Sequence, residues 1–211
     1  MKTYGKLKYQ QPMHKLIKSK NNNLFLKLLF WQPKKDFLAF FEHGFWREVS
    51  LVFLNYSIWF FFFFVSFKLI YFDINFFGRL FIATFFAEIV ERFLKRKRIW
   101  LRPMFDRHKI APKGLVNNWY YSGSFPSGHT MKATFFLLFI IFTNVISLPF
   151  FLSIVLPLLI FRVLVGFHYP IDILGGIFMG IILWFFTKDL IFPVNFNNFI
   201  SAIFNFVFFI K

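Results

Sequence analysis

Three short clusters of this sequence, Lys95–Pro103 (KRKRIWLRP), Pro126–His129 (PSGH) and Arg162–Asp172 (RVLVGFHYPID), contain His129, His168, Asp172, Arg102, Arg162 and Lys95. Together these side chains can bind and break a phosphate ester. A reacting phosphoryl group spreads negative charge over its equatorial oxygens, so a protein that handles it needs fixed cations and hydrogen-bond donors. Lys95, Arg102 and Arg162 supply the charge, and the arginine fork offers two parallel N–H groups to phosphate oxygens. Ser127 and Gly128 precede an apolar run that reads as a helix. Unpaired N–H groups at a helix start favour an anion, and glycine lets it approach the backbone. His168 and Asp172 are four residues apart. With a helix starting near Tyr169, the carboxylate can hold one imidazole nitrogen and leave the other free to attack phosphorus.

The elements that must position these groups are apolar. The chain has 211 residues, 58% of them hydrophobic and 40 of them Phe, which suits a lipid environment better than water. Apolar runs predict spans over Leu51–Phe72, Phe76–Leu94, Thr130–Ser147, Phe150–Gly166 and Ile171–Thr187, with Pro193–Ile210 as a sixth span or an interfacial helix. Gly175, Gly176 and Gly180 permit close helix approach in the fifth span. Counting crossings puts all three clusters at the same face: the second span ends at the first cluster, the third begins at His129, the fourth returns near Arg162 and the fifth starts near Asp172. Glu88 and Glu91 precede Arg92 and Lys95 by four residues, the spacing for ion pairs on one side of a helix, and holding the helix end in place is their expected role.

Outside the spans the sequence is basic. The net charge of +16 comes from 25 Lys and Arg against 9 Asp and Glu, and much of it flanks apolar runs, which points to anionic headgroups rather than nucleic acid. Residues 1–23 read as a basic tail, and Leu24–Trp46 as helix lying in the headgroup plane. Asp106, Arg107 and His108 read as a solvated loop. His14 and His43 lack partners at metal-ligand spacing, and no metal motif or cofactor is expected. Cysteine is absent, so thiolate chemistry is excluded.

The three clusters, in this order and at these spacings, resemble the signature of the type 2 phosphatidic acid phosphatase superfamily, which also includes the vanadium haloperoxidases. The resemblance runs from the second span through the fifth. It implies that His168 is the nucleophile and forms a phosphohistidine, that Asp172 orients it, and that His129 protonates the leaving oxygen. It assigns Lys95, Arg102, Ser127, Gly128 and Arg162 to the phosphate oxygens. One departure is Phe161, where the family often has Ser before the third-cluster arginine. The haloperoxidase members are soluble and much larger than this chain. A non-catalytic transporter or scaffold would have no reason to gather His129, His168 and Asp172.

The sequence therefore predicts an all-α integral membrane bundle of five or six helices, with a basic and interfacial segment at 1–48, the phosphatase domain at 49–190 and a hydrophobic segment at 191–211. The expected substrate is a lipid phosphate or diphosphate, undecaprenyl diphosphate first, with phosphatidylglycerol phosphate, phosphatidic acid and lipid A as alternatives. The expected location is the bacterial cytoplasmic membrane. Two arguments on sidedness diverge: the positive-inside rule puts the basic tail and the site in the cytoplasm, whereas bacterial relatives usually face outward, which would require another crossing before Leu51.

Overall fold

The computed structural model describes residues 24–34, 37–41, 45–107, 119–120 and 122–208. The basic tail and His14, His43 and His108 lie outside the described residues. Among those described, all regular elements are helices: α1 (Leu24–Leu29), α2 (Phe37–Phe41), α3 (Phe45–Phe72), α4 (Asn75–Arg96), α5 (Pro103–Arg107), α6 (Gly128–Thr143), α7 (Leu148–Leu164), α8 (Pro170–Thr187) and α9 (Val194–Phe208). Helices α3 and α8 are long and apolar enough to cross a membrane by length and composition, and α6 and α7 are shorter apolar helices.

Two boundaries depart from the sequence reading. The interfacial helix expected over Leu24–Trp46 is instead two short helices, because Pro33 lacks an N–H and disfavours helical geometry in the residue before it. Helix α3 starts at Phe45 rather than Leu51. A charged residue does not end a helix if it can point away from the bundle, and Arg47 does so, with its guanidinium over the Phe40 ring at 4.6 Å. The break expected near Ser147–Pro149 is present: Asn144 takes the left-handed conformation (φ 55°) that closes α6, and α7 starts at Leu148.

Helix α6 sits at the centre, with α8 packed most closely against it and α3, α4 and α7 around it. The core between them is aromatic and aliphatic, with Phe62 stacked on Phe136 at 4.7 Å and Phe76 edge-on to Phe139 at 5.6 Å. A smaller cluster lies at the site end, where Leu38, Leu51, Met104, Tyr120, Val165 and Phe167 are buried together. Helix α9 lies beside α3 and α4. The Asn197 amide donates to Asn75 Oδ1 at 3.0 Å, and Phe204 packs on Phe67 at 5.2 Å.

Small residues set the α6–α8 distance. A Cβ on Gly176 would press on Ser127 O and Thr130, and one on Gly180 on Met131 O and Thr134, so backbone of α6 fills the space. Gly180→Ala should therefore push α8 off α6 and cost about 1–3 kcal/mol. Thermal unfolding of the purified protein in detergent checks this, and an unchanged midpoint would show that α6 and α8 can separate freely.

Candidate active site

Backbone hydrogen bonds join the three clusters to one another. Leu101 bridges to Gly123 and Ser124 N–H donates to Trp100 O at 3.2 Å, so the first cluster lies alongside the approach to the second. A Cβ at Gly123 would press on the Lys95 carbonyl, which is why glycine stands there. Ser127 N–H donates to Asp172 O at 3.0 Å and ties the second cluster to the third. Met104 N–H donates to Gly166 O at 3.0 Å and ties the third to the first. Gly166 turns the chain at φ 80°, a conformation that suits glycine, and the turn leads directly into Phe167 and His168.

Ser127 caps α6, with its hydroxyl oxygen accepting from the Thr130 N–H at 3.4 Å and from the Thr130 hydroxyl at 2.9 Å. Asp172 closes the first turn of α8: Oδ2 accepts the Tyr169 N–H at 2.7 Å and Oδ1 accepts the Trp100 indole N–H at 2.8 Å. His168 Nδ1 lies 3.4 Å from Asp172 Oδ2, but the pair does not meet hydrogen-bond geometry, and that oxygen accepts from Tyr169 instead. Neither ring nitrogen of His168 has a hydrogen-bond partner among the described residues, and neither does His129 Nε2 or Arg162 Nε.

The cations stand as follows. Arg102 is buried and donates Nε to Ser122 Oγ at 3.0 Å and Nη1 to the Phe167 carbonyl at 3.0 Å. Burial holds its pKa down to about 10, opposed by the Asp172 and Glu91 carboxylates, so it stays charged at neutral pH. Arg162 is buried, donates Nη1 to Asn55 Oδ1 and lies over the Phe167 ring. Among the described residues neither guanidinium is salt-bridged to a carboxylate. Lys95 differs, since its ammonium is paired with Glu91. The expected Glu88–Arg92 pair is present at 3.8 Å beside the Glu91–Lys95 pair.

Four residues at the site carried no signal in the three clusters' spacings, or were read otherwise. Lys132, one turn into α6 and 1% exposed, reaches Glu88 at 2.7 Å and Glu91 at 3.3 Å; a lone charge at the edge of the longest charge-free run was the sign available. Asn55 is a polar residue in the apolar first span, and its partner Arg162 is distant in sequence. Trp100 sits inside the first cluster, and only the fold shows that it reaches Asp172. Tyr169 accepts a hydrogen bond from the Gln32 side chain at 3.1 Å, and Phe30 packs edge-on against Tyr169 and Trp100 at 5.3 and 5.4 Å, so the segment after α1 covers this flank. Phe161, the departure from the family pattern, packs on Phe41 at 5.7 Å.

The arrangement suits an anion. Burying guanidinium groups without a carboxylate is costly, and a tetrahedral oxyanion satisfies such forks well. Among the described residues no cluster of three or more His, Cys, Asp and Glu could hold a metal ion. A family model described as the PAP2 superfamily matches residues 78–195, more than half of the chain, and that range contains all eight residues that sequence assigned to the site. No curated protein and no solved structure matches the chain.

Burial lowers the pKa of His168 well below its ordinary value, and the charges of Arg102, Arg162, Lys95 and His129 push it further down. The free imidazole is therefore neutral. In the folded protein without bound phosphate, His168 should titrate well below about 6.5, the usual histidine value. A depressed folded pKa stabilises the fold fully above the unfolded value, and that stability is lost as pH falls towards the folded one. Histidine-selective NMR in detergent checks this, with Arg162→Gln expected to move the titration upward. A wild-type His168 titrating near 6.5 would contradict it.

Proposed function

The chain belongs to the PAP2 superfamily of metal-independent phosphatases, and from that premise we propose that it hydrolyses a lipid phosphate or diphosphate through a phosphohistidine at His168. The observation that carries the reading is that backbone hydrogen bonds tie the three clusters together at one end of the bundle, where His168, His129 Nε2 and Arg162 Nε lie buried without a hydrogen-bond partner among the described residues. In the proposed first step a neutral His168 nitrogen attacks phosphorus. Nδ1 faces Asp172, so Nε2 forms the N–P bond while the P–O bond to the lipid breaks and His129 supplies the leaving oxygen with a proton. In the second step water attacks phosphorus, giving up a proton to His129, and the N–P bond breaks to release phosphate. Arg102 and Arg162 hold the equatorial oxygens, and the Ser127–Gly128 turn adds donors at the start of α6. Asp172 acts on His168 as a nearby charge and by fixing the first turn of α8.

The reading includes a membrane bundle of five spans, α3, α4, α6, α7 and α8, with α9 as a sixth or interfacial helix. Large side chains on the outward faces support it: Phe60, Phe63, Phe178 and Phe186 are each more than 60% exposed, which water would disfavour and lipid would not. A lipid substrate is supported by an apolar cavity of about 520 Å³ between α6, α7 and α8, lined by Leu137, Leu156, Ile160, Leu174 and Ile177. It reaches Thr130 and Pro170, which neighbour His129 and Tyr169, so a hydrocarbon chain there would leave its phosphate near the histidines. Undecaprenyl diphosphate is the first substrate to test, then phosphatidylglycerol phosphate, phosphatidic acid and lipid A. The proposed location is the bacterial cytoplasmic membrane.

Purified protein should release phosphate from one of these lipids in EDTA. His168→Ala and His129→Ala should each cost several orders of magnitude in kcat, and Asp172→Asn on the order of 10⁴ by analogy with the serine-protease triad. Wild-type turnover in His168→Ala would remove the proposed nucleophile.

Sidedness has its own test. Gln32 and Phe30 touch the site, so the segment around them shares its face, and among the described residues only α3 and α4 cross between it and the first cluster. With the cations concentrated on that face, the positive-inside rule places it in the cytoplasm. Ser122 is a poor probe because its hydroxyl accepts from Arg102, whereas Lys97 is exposed at the site end and Asp189 is exposed at the other. In intact cells an impermeant maleimide should label Asp189→Cys and spare Lys97→Cys; the reverse pattern would place the site outside.

A further inference from the structure

Glu91 lies at the phosphate cradle but carries the wrong charge for it. Its carboxylate is bonded to Lys95, a cation assigned to the substrate, and it lies so close to the first turn of α6 that a Cβ on Gly128 would overlap it. The glycine expected to admit a phosphate has this carboxylate against it. A Lys95 already neutralised attracts a phosphate less than a free one, yet a buried Glu91 that let go of Lys95 with no second cation at hand would be left as an uncompensated charge.

Lys132 removes that difficulty. Its buried ammonium lies 3.3 Å from Glu91 Oε2 and 2.7 Å from Glu88 Oε1, and Glu88 in turn lies 3.8 Å from Arg92, whose side chain is 77% exposed. The order Lys95–Glu91–Lys132–Glu88–Arg92 is an alternating row of charges that runs from the catalytic cations to the surface. If Lys95 leaves Glu91 for a phosphate, Lys132 can close on Glu91 while Glu88 shifts to Arg92, and no member is left unpaired. The two ends of the row differ in burial, so the pair that must rearrange last, Glu88–Arg92, lies where solvent can screen it.

Resting on the phosphatase reading above, we propose that Glu91 is an exchangeable counter-ion of the site: it holds Lys95 while no phosphate is bound, and Lys132 retains it when substrate takes Lys95. Glu91 and Lys132 are positioning residues, not catalytic ones. A scaffold role for Glu91, aiming Lys95 at the substrate, makes the opposite forecast for the same variant, which allows a decision by sign.

The test is equilibrium binding of orthovanadate, a phosphate mimic, to the full-length protein in detergent, followed by tryptophan fluorescence, alongside KM and kcat on whichever lipid phosphate the wild type hydrolyses. Glu91→Gln should bind vanadate more tightly and lower KM, by on the order of tenfold. Lys132→Met should weaken vanadate binding and raise KM by a similar factor, because Glu91 then has Lys95 alone. Once Glu91 is already Gln, adding Lys132→Met should change little. Weaker vanadate binding by Glu91→Gln, or additive effects in the double variant, would overturn the exchange and leave the phosphatase reading standing. Failure of the wild type to bind vanadate would overturn both. Should Lys132→Met fail to fold, the sign of the Glu91→Gln effect decides alone, since Lys132 keeps Glu88 in that variant.

Discussion

Asp172 is the point through which the site end of the bundle is held. Its main-chain oxygen takes the Ser127 N–H, one carboxylate oxygen takes the Trp100 indole and the other takes the Tyr169 N–H, so one residue contacts all three clusters. A carboxylate at the third position of α8 also meets the positive end of that helix. The consequence for the chemistry is indirect but large. His168 lies between Gly166 and Tyr169, and both ends of that short connection are fixed, one by Met104 and one by Asp172. The imidazole is thus positioned by main-chain anchoring on either side, without needing a strong bond to the aspartate itself.

That anchoring explains how a neutral imidazole can be kept among cations. Three positive side chains near a buried histidine would repel one another and disfavour its protonation, and the fold meets their needs through neutral acceptors: Ser122 and the Phe167 carbonyl for Arg102, and Asn55 for Arg162. Carboxylate partners would cancel the charge that a phosphate requires. Lys95 alone is neutralised, and it is the cation nearest the edge of the site.

Much of this was legible in the sequence because it depends on local rules. The clusters and their spacings pointed to eight residues that the fold brings to one end of the bundle, and hydropathy placed five apolar helices within about six residues of their observed bounds. The Gly176 and Gly180 positions could be read as a close approach because a helix turn puts them on one side. What escaped depends on tertiary neighbours. Asn55 and Trp100 acquire partners 107 and 72 residues away, and no periodicity announces such pairings. Lys132 escaped because a single lysine at the edge of an apolar run reads as a boundary, while its burial follows from α4 presenting Glu88 and Glu91 one turn apart. The split of α1 from α2 could have been drawn from Pro33, whose effect on its neighbours is local.

The same contrast bears on how the histidine bond to Asp172 should be understood. From spacing alone, a four-residue separation at a helix start suggests a direct bond, and the distance of 3.4 Å is near one. Yet the two hydrogen bonds that the carboxylate accepts come from a main-chain donor that builds the helix and an indole that joins it to the first cluster, and these orient it. The carboxylate thereby serves the turn first. A phosphorylated or protonated imidazole carries a donor at Nδ1 and a positive charge, which strengthens its attraction to Asp172 and can draw Oδ2 towards it. In the proposed reaction the carboxylate would then contribute most as charge develops on His168, which is the difference between ground state and transition state that catalysis requires.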